Sequence, residues 1–79
     1  MKVKKNIATS EEGFLFNPTT GDSFSTNQIG AEIIMMLKKE TSSKELIEII
    51  SQKYDVDKSL LERDLEDFTL QLKEFSILE

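Results

Sequence analysis

The chain of 79 residues contains no cysteine, no histidine and no tryptophan, and only one proline. Without cysteine it forms no disulfide, and without histidine it lacks both the commonest general base and a usual zinc ligand. No apolar run approaches the length of a membrane span. Residues 1–5 are basic, but no apolar segment follows them, so they do not predict a signal peptide. These absences favour a small cytoplasmic domain with no enzyme activity of its own, no cofactor and no membrane contact.

What is present is typical of one globular domain, residues 1–79, with 38% hydrophobic and 32% charged residues. The net charge of −5 is unevenly distributed. Residues 1–26 are neutral, whereas residues 57–79 carry seven acidic side chains against three basic ones. A protein that binds nucleic acid needs positive charge on the element that docks. The distribution therefore argues against nucleic acid as a partner.

The first third of the chain predicts β-structure. Residues 2–9 place Val3, Lys5 and Ile7 at alternate positions, which predicts a first strand. Residues 13–26 predict a β-hairpin, because two alternating segments flank a proline, a glycine and two residues that favour turns. We expect the three phenylalanines of this hairpin to lie in the core: Phe14, Phe16 and Phe24.

From Asn27 onward the hydrophobic period changes to that of helices. Ser25 or Asn27 can cap the first helix, which is apolar on most sides and is therefore expected to be the most buried. A capping box at residues 42–45 opens a second helix, which ends near Asp55. Asp57 or Ser59 caps the third helix, over residues 57–75. Residues 77–78 are expected to fold back against the sheet.

The third helix carries an apolar stripe at steps of four and three residues, which predicts a buried face: Leu61, Leu65, Phe68, Leu72 and Phe75. Leu60 and Leu70 lie off this stripe, and Leu70 is a candidate contact for a larger partner. The predicted fold class is α+β and winged-helix-like. An N-terminal antiparallel β-hairpin or three-stranded sheet is followed by three α-helices.

One set of residues between positions 14 and 78 matches a known pattern of core and capping positions: Asn27, Gly30, Ala31, Ile33, Ile34, Leu46, Ile49, Tyr54, Asp55, Val56, Asp64, Leu65, Phe68, Leu72, Ile77 and Leu78. With these residues the chain resembles the PqqD family of pyrroloquinoline quinone biosynthesis. The same module serves as the recognition element for precursor peptides in pathways that make ribosomally synthesised, modified peptides. The chain departs from the pattern at Thr26, usually leucine, at Ser76, often glycine, and in residues 40–43, which lack the usual glycine.

The resemblance implies a non-catalytic module that captures the leader of a precursor peptide by β-strand addition and presents it to a modifying enzyme, of the radical S-adenosylmethionine type. The peptide would lie between the last strand and the third helix. The residues expected to bind it are Asp22, Ser23, Phe24, Ser25, Thr26, Leu60, Asp64, Asp67 and Gln71. The two aspartates of the helix suggest a lysine or arginine in the peptide.

Other interpretations stay open. The chain could be a winged-helix DNA-binding regulator whose last helix enters the major groove, although that helix is acidic. It could also be a structural or inhibitory partner of a larger protein. Residues 55–66 imitate the ligand spacing of a calcium loop, but Leu60 occupies the position that requires glycine, so no metal is expected. The exposed strand edge is compatible with a monomer or an edge-paired dimer.

Overall fold

The computed structural model describes residues 2–79, which form three strands followed by three helices. The elements are β1 (Ala8–Thr9), β2 (Phe14–Asn17), β3 (Asp22–Ser25), α1 (Gln28–Lys38), α2 (Ser43–Tyr54) and α3 (Lys58–Glu74). The strands make one antiparallel sheet in the order β1-β2-β3. The predicted α+β class with a three-stranded sheet is confirmed. No helix in the described part of the chain is long and apolar enough to cross a membrane.

The first predicted strand is wrong for most of its length. Only Ala8–Thr9 pairs with β2, and Val3 instead makes an isolated bridge to Leu78. A turn closed by the hydrogen bond from Ile7 N to Lys4 O, at 3.1 Å, interrupts the segment. This turn leaves Lys5 exposed, whereas Val3 and Ile7, two residues away on either side, are buried. The alternation reflected two separate buried residues rather than one continuous strand.

The predicted hairpin is confirmed, and its turn uses the expected chemistry. Gly21 has φ +79°, in the left-handed region that favours glycine, and Asn17 Oδ1 accepts a hydrogen bond from Thr19 N at 3.0 Å. The register pairs Leu15 with Phe24, so both side chains lie on the face of the sheet that packs against the core. The turn residues therefore fix which face each hairpin side chain occupies.

The expectation that Phe14 and Phe16 belong to the core is wrong. Their side chains are 59% and 44% exposed, whereas Leu15 between them is 4% exposed. Successive side chains of a strand point to opposite faces, and the helices cover the face that carries Leu15. Both phenylalanines are thus left on the open face. Phe24, on the covered face, is half-buried and packs against the core.

Polar side chains cap all three helices at their first turn. Asn27 Oδ1 accepts from Gly30 N at 2.8 Å, and Ser42 Oγ accepts from Glu45 N at 3.2 Å. Asp57 Oδ1 accepts from two amides at the start of α3, at 2.9 and 3.2 Å. Each cap satisfies backbone donors that a helix cannot satisfy internally, so each helix begins within one residue of its cap.

The core lies where the sheet meets the helices. Leu37, Leu46 and Ile50 have no exposed surface, and α1 contributes five buried residues, as expected for the central helix. Of the α3 stripe, the members Leu61, Leu65 and Leu72 are buried, and Phe68 is half-buried.

The fifth stripe residue, Phe75, is 47% exposed, so its assignment to the core is wrong. The helix ends at Glu74, and Phe75 is the residue that caps it. Beyond it the chain turns, and Ile77 and Leu78, which were expected to fold back against the sheet, are buried at 1% and 4% exposure. Ile77 O accepts from Lys4 N at 2.9 Å, so the tail pairs with the N-terminal segment and not with β3.

Candidate functional site

One edge of the sheet is unpaired. Within residues 2–79, β3 pairs only with β2. Thr26 N donates to Gly13 O at 2.8 Å, and hydrogen-bonded pairs alternate with non-hydrogen-bonded pairs along an antiparallel ladder. The pair Leu15–Phe24 is therefore hydrogen-bonded across the ladder. Ser23 and Ser25 direct their backbone N–H and C=O groups towards the open edge.

A cleft of about 370 Å³ opens beside the C-terminal end of this edge, between the start of α1 and one side of α3. Four residues predicted to bind peptide line it: Thr26, Asp64, Asp67 and Gln71. The cleft also has apolar walls that were not predicted as part of the site, formed by Ile29, Ile33, Val56, Leu61 and Phe68. The structure thus brings Asp64, Asp67 and Gln71 of α3 and Thr26 at the end of β3 to one cleft.

The other predicted site residues do not line this cleft. Asp22 begins β3 at the turn, and Ser23 and Ser25 are exposed on the open face of the sheet. Leu60, 52% exposed, does not line the cleft although it lies one turn before Asp64. Phe24 stacks on Phe75 with ring centroids 4.5 Å apart, so this pair joins β3 to the end of α3.

A glycine allows α1 to begin close to β3. A Cβ atom on Gly30 would lie 1.9 Å from Thr26 Oγ1, far closer than atoms approach. The same glycine amide bonds to the capping Asn27. Gly30 therefore fixes the distance between the end of β3 and α1, which is one dimension of the cleft.

The α3 wall of the cleft is acidic. Asp64 and Asp67 are both exposed and lie nearly one helix turn apart. The three ion pairs among residues 2–79 use other carboxylates: Glu40, Glu32 and Glu48. No lysine or arginine among residues 2–79 therefore forms an ion pair with either aspartate. The cleft combines apolar walls, two carboxylates and an adjacent row of free backbone groups, an arrangement suited to an extended chain with basic and apolar side chains.

The residues that sequence reasoning missed come from two distant parts of the chain. Ile29 lies in the first turn of α1, and Val56 lies in the short connection before α3. Phe68 was assigned to the core, and its half-buried side chain serves both core and cleft. The available signal was the position of Ile29 two residues after the Asn27 cap, in the first turn of α1 and close in sequence to the end of β3. The described residues contain no group of three or more side chains able to hold a metal ion.

Comparison with known proteins places the chain among relatives. The family model described as coenzyme PQQ synthesis protein D, PqqD, matches residues 12–78. The structure is similar to that of TbiB1 in complex with the TbiA(beta) leader peptide, with a TM-score of 0.92 and 29% sequence identity. That similarity covers 100% of this chain and 95% of TbiB1. No curated protein sequence matches. Since the family model spans most of the chain and the fold agrees throughout, this protein belongs to the PqqD family.

Proposed function

We propose that the protein is a non-catalytic binding module that captures the leader of a ribosomally synthesised precursor peptide and presents it to a modifying enzyme. The unpaired edge of β3, opening beside a cleft with apolar walls and two carboxylates, carries this proposal. The similar structure of TbiB1, which contains the TbiA(beta) leader peptide, supports it.

The peptide adds to the sheet as a fourth strand beside β3. The outward backbone groups of Ser23 and Ser25 supply its main-chain hydrogen bonds, which carry little sequence preference. Alternate peptide side chains then point towards the α3 side of the sheet, where the cleft lies. The backbone of β3 therefore aligns the peptide, and the cleft selects among peptide side chains.

Selection in the cleft depends on charge. Asp64 and Asp67 face a space with no cation from the described chain, so a lysine or arginine of the peptide would pair with them. The apolar walls around Phe68 accept the methylene part of such a side chain or an apolar neighbour. We infer a leader with at least one basic residue among its inward-facing positions.

A charge-reversal experiment tests this inference. Random 12-residue peptides displayed on phage are selected on the immobilised protein, and the affinities of the selected peptides are measured by calorimetry. Asp64→Lys combined with Asp67→Lys should weaken binding at least about tenfold, or ~1.4 kcal/mol. Attraction to a basic side chain becomes repulsion in this variant.

The matched control is Glu62→Lys combined with Glu66→Lys. These residues lie on α3 along the side that faces α2, outside the cleft, and the change in net charge is the same. The affinity for the peptide is expected to stay within about twofold of the original value, because dissolved salt screens the interaction between the peptide and a remote surface charge. An equal loss in both variants, or no loss in either, would remove the two aspartates from the binding site.

The partner enzyme and the assembly state are also proposals. The resemblance to the PqqD family favours a radical S-adenosylmethionine enzyme as the modifying enzyme. Co-purification of the tagged protein with such an enzyme, with and without a selected peptide, tests it.

The protein itself is a monomer or a dimer paired through the free edge of β3. DNA binding is disfavoured because α3 carries five acidic and three basic residues, and a gel shift at low salt checks it.

A further inference from the structure

We propose that the open face of the sheet is a second recognition surface for the same peptide, where Phe14 and Phe16 contact large apolar side chains at alternate peptide positions. This inference rests on the proposed function, because the peptide reaches that face only as a strand added to β3. It assigns a role to two exposed phenylalanines that do not line the cleft.

The open face is unusually apolar at its centre. The solvated face of an antiparallel sheet is normally polar, yet Phe14 and Phe16 expose 59% and 44% of their surface there. Their neighbours on the same face are small, since Phe14 pairs with Ser25, and Phe16 pairs with Ser23 and Ala8. A trough of about 400 Å³ covers this face. Two bulky rings thus project from the central strand β2, with small side chains beside them on both neighbouring strands.

The small side chains on one side, Ser23 and Ser25, belong to β3, the strand with the free edge. A strand added beside β3 lies two strand spacings from β2, about 9.5 Å away. The serines between them are too short to fill that space. A large side chain on the added strand, opposite Ser23 or Ser25, can therefore lean over the serine and contact a phenylalanine ring.

The geometry also fixes the spacing of these peptide residues. Ser23 and Ser25 are separated by one residue, so the two outward positions of an antiparallel peptide strand are i and i+2. The residue between them lies on the other face, opposite Phe24 and towards α3. The ligand class is an extended peptide with aromatic or long aliphatic residues at i and i+2, in addition to the basic residue that faces the cleft.

A second copy of this chain fits the face less well than a peptide. A dimer paired through β3 would place the small outward side chains of one β3 against those of the other, Ser23 and Ser25. Such a pairing brings no large side chain across the serines and leaves both phenylalanines uncovered. The continuity of the trough with the free edge favours a separate chain that carries its own apolar residues.

The test compares two selections from the phage-displayed library of random 12-residue peptides. One uses the original protein, and the other uses Phe14→Thr combined with Phe16→Thr, which keeps residues that favour strands. The original protein should enrich peptides with large apolar residues at i and i+2 together with a basic residue. The variant should lose the i, i+2 pair and keep the basic residue. Peptides from the first selection should bind the variant at least tenfold more weakly.

Two further measurements make the outcome decisive. Ile49→Gln combined with Leu70→Gln removes two exposed apolar side chains from α2 and α3, and should leave the affinity within twofold. In the original protein, nuclear Overhauser contacts should join the Phe14 and Phe16 rings to the peptide side chains at i and i+2. This readout requires no variant to fold.

Identical enrichment in both selections, or bound peptides without contacts to either ring, would overturn this inference and leave the proposed function standing. Loss of dimerisation in the Phe14→Thr, Phe16→Thr variant, measured by sedimentation, would also overturn it, because the face would then join two copies. Failure to enrich any peptide that perturbs β3 would contradict the proposed function itself.

Discussion

At the scale of single residues, Gly30 lies at a close contact between the start of α1 and the end of β3. Alanine would raise the intrinsic helix propensity of α1 by about 1 kcal/mol. Its Cβ atom, however, would lie 1.9 Å from Thr26 Oγ1, so either the Thr26 side chain must rotate or the start of α1 or the end of β3 must move. The steric cost is expected to exceed the gain in propensity, because packed groups resist such displacement.

Gly30→Ala is therefore expected to lower the free energy of unfolding by about 1–2 kcal/mol, measured by urea denaturation. Thr26→Ala removes the atom that the new Cβ would strike, so adding Gly30→Ala to Thr26→Ala should cost less than adding it to the original protein. A Gly30→Ala variant as stable as the original would show that the contact relaxes freely and does not set the width of the cleft.

At the scale of secondary-structure elements, one ion pair joins α1 to α2. Lys53 on α2 donates a hydrogen bond to Glu32 on α1, and this bond holds the pKa of the Glu32 carboxyl below its ordinary value. The same bond raises the pKa of Lys53. Burial, and then the neighbouring Glu32, raise the pKa of Tyr54. A carboxyl group whose pKa is lowered by folding stabilises the folded state above its unfolded pKa, near 4.5, and loses that contribution as pH falls through the folded value.

Glu32→Gln should consequently lower the urea midpoint at pH 7 and lower it by less at pH 3, below the unfolded pKa of this carboxyl group, where part of its contribution to stability is already lost. Urea denaturation followed by circular dichroism at both pH values measures the difference. Glu62→Gln is the control, since this exposed residue takes part in none of the three ion pairs within residues 2–79. A midpoint loss that is equal at the two pH values would show that the ion pair does not stabilise the fold.

The elements could be predicted from the sequence where local chemistry determines them. Ser42 marked the start of α2, Asn27 and Asp57 were each one of two candidate caps for α1 and α3, and Gly21 marked the turn of the hairpin. The positions of Phe14 and Phe16 could not be predicted in the same way. An alternating strand separates its side chains into two faces, but only tertiary packing decides which face the helices cover.

The same limit applies to Phe75 and to the cleft. The stripe of α3 continued in sequence to Phe75, yet the helix ended at Glu74 and the tail occupied the core instead. The row Leu60, Asp64, Asp67 and Gln71 followed from helical periodicity together with the family resemblance, and its last three members line the cleft. Its apolar surroundings come from segments far apart in sequence, so only the packing of α1 against α3 brings them together.

At the scale of the whole molecule, the two edges of the sheet have different environments. The C-terminal tail bonds to the N-terminal segment that leads into β1, through Lys4 N to Ile77 O and Glu79 N to Lys2 O. Within the described chain, no strand pairs with the outer edge of β3. The tail is thus held by residues 2–4, whereas β3 presents free backbone groups between an acidic cleft and an aromatic face. A free edge of this kind is what strand addition at β3 requires.

Amide hydrogen exchange along β3, measured by nuclear magnetic resonance with and without a selected peptide, tests that claim most directly. The amides of Ser23 and Ser25 point to the free edge and should exchange quickly in the free protein, then slow by at least about tenfold when the peptide adds. The Phe24 amide, which already points to β2, should change much less. Contradiction would come from a bound peptide that leaves the exchange of Ser23 and Ser25 unchanged.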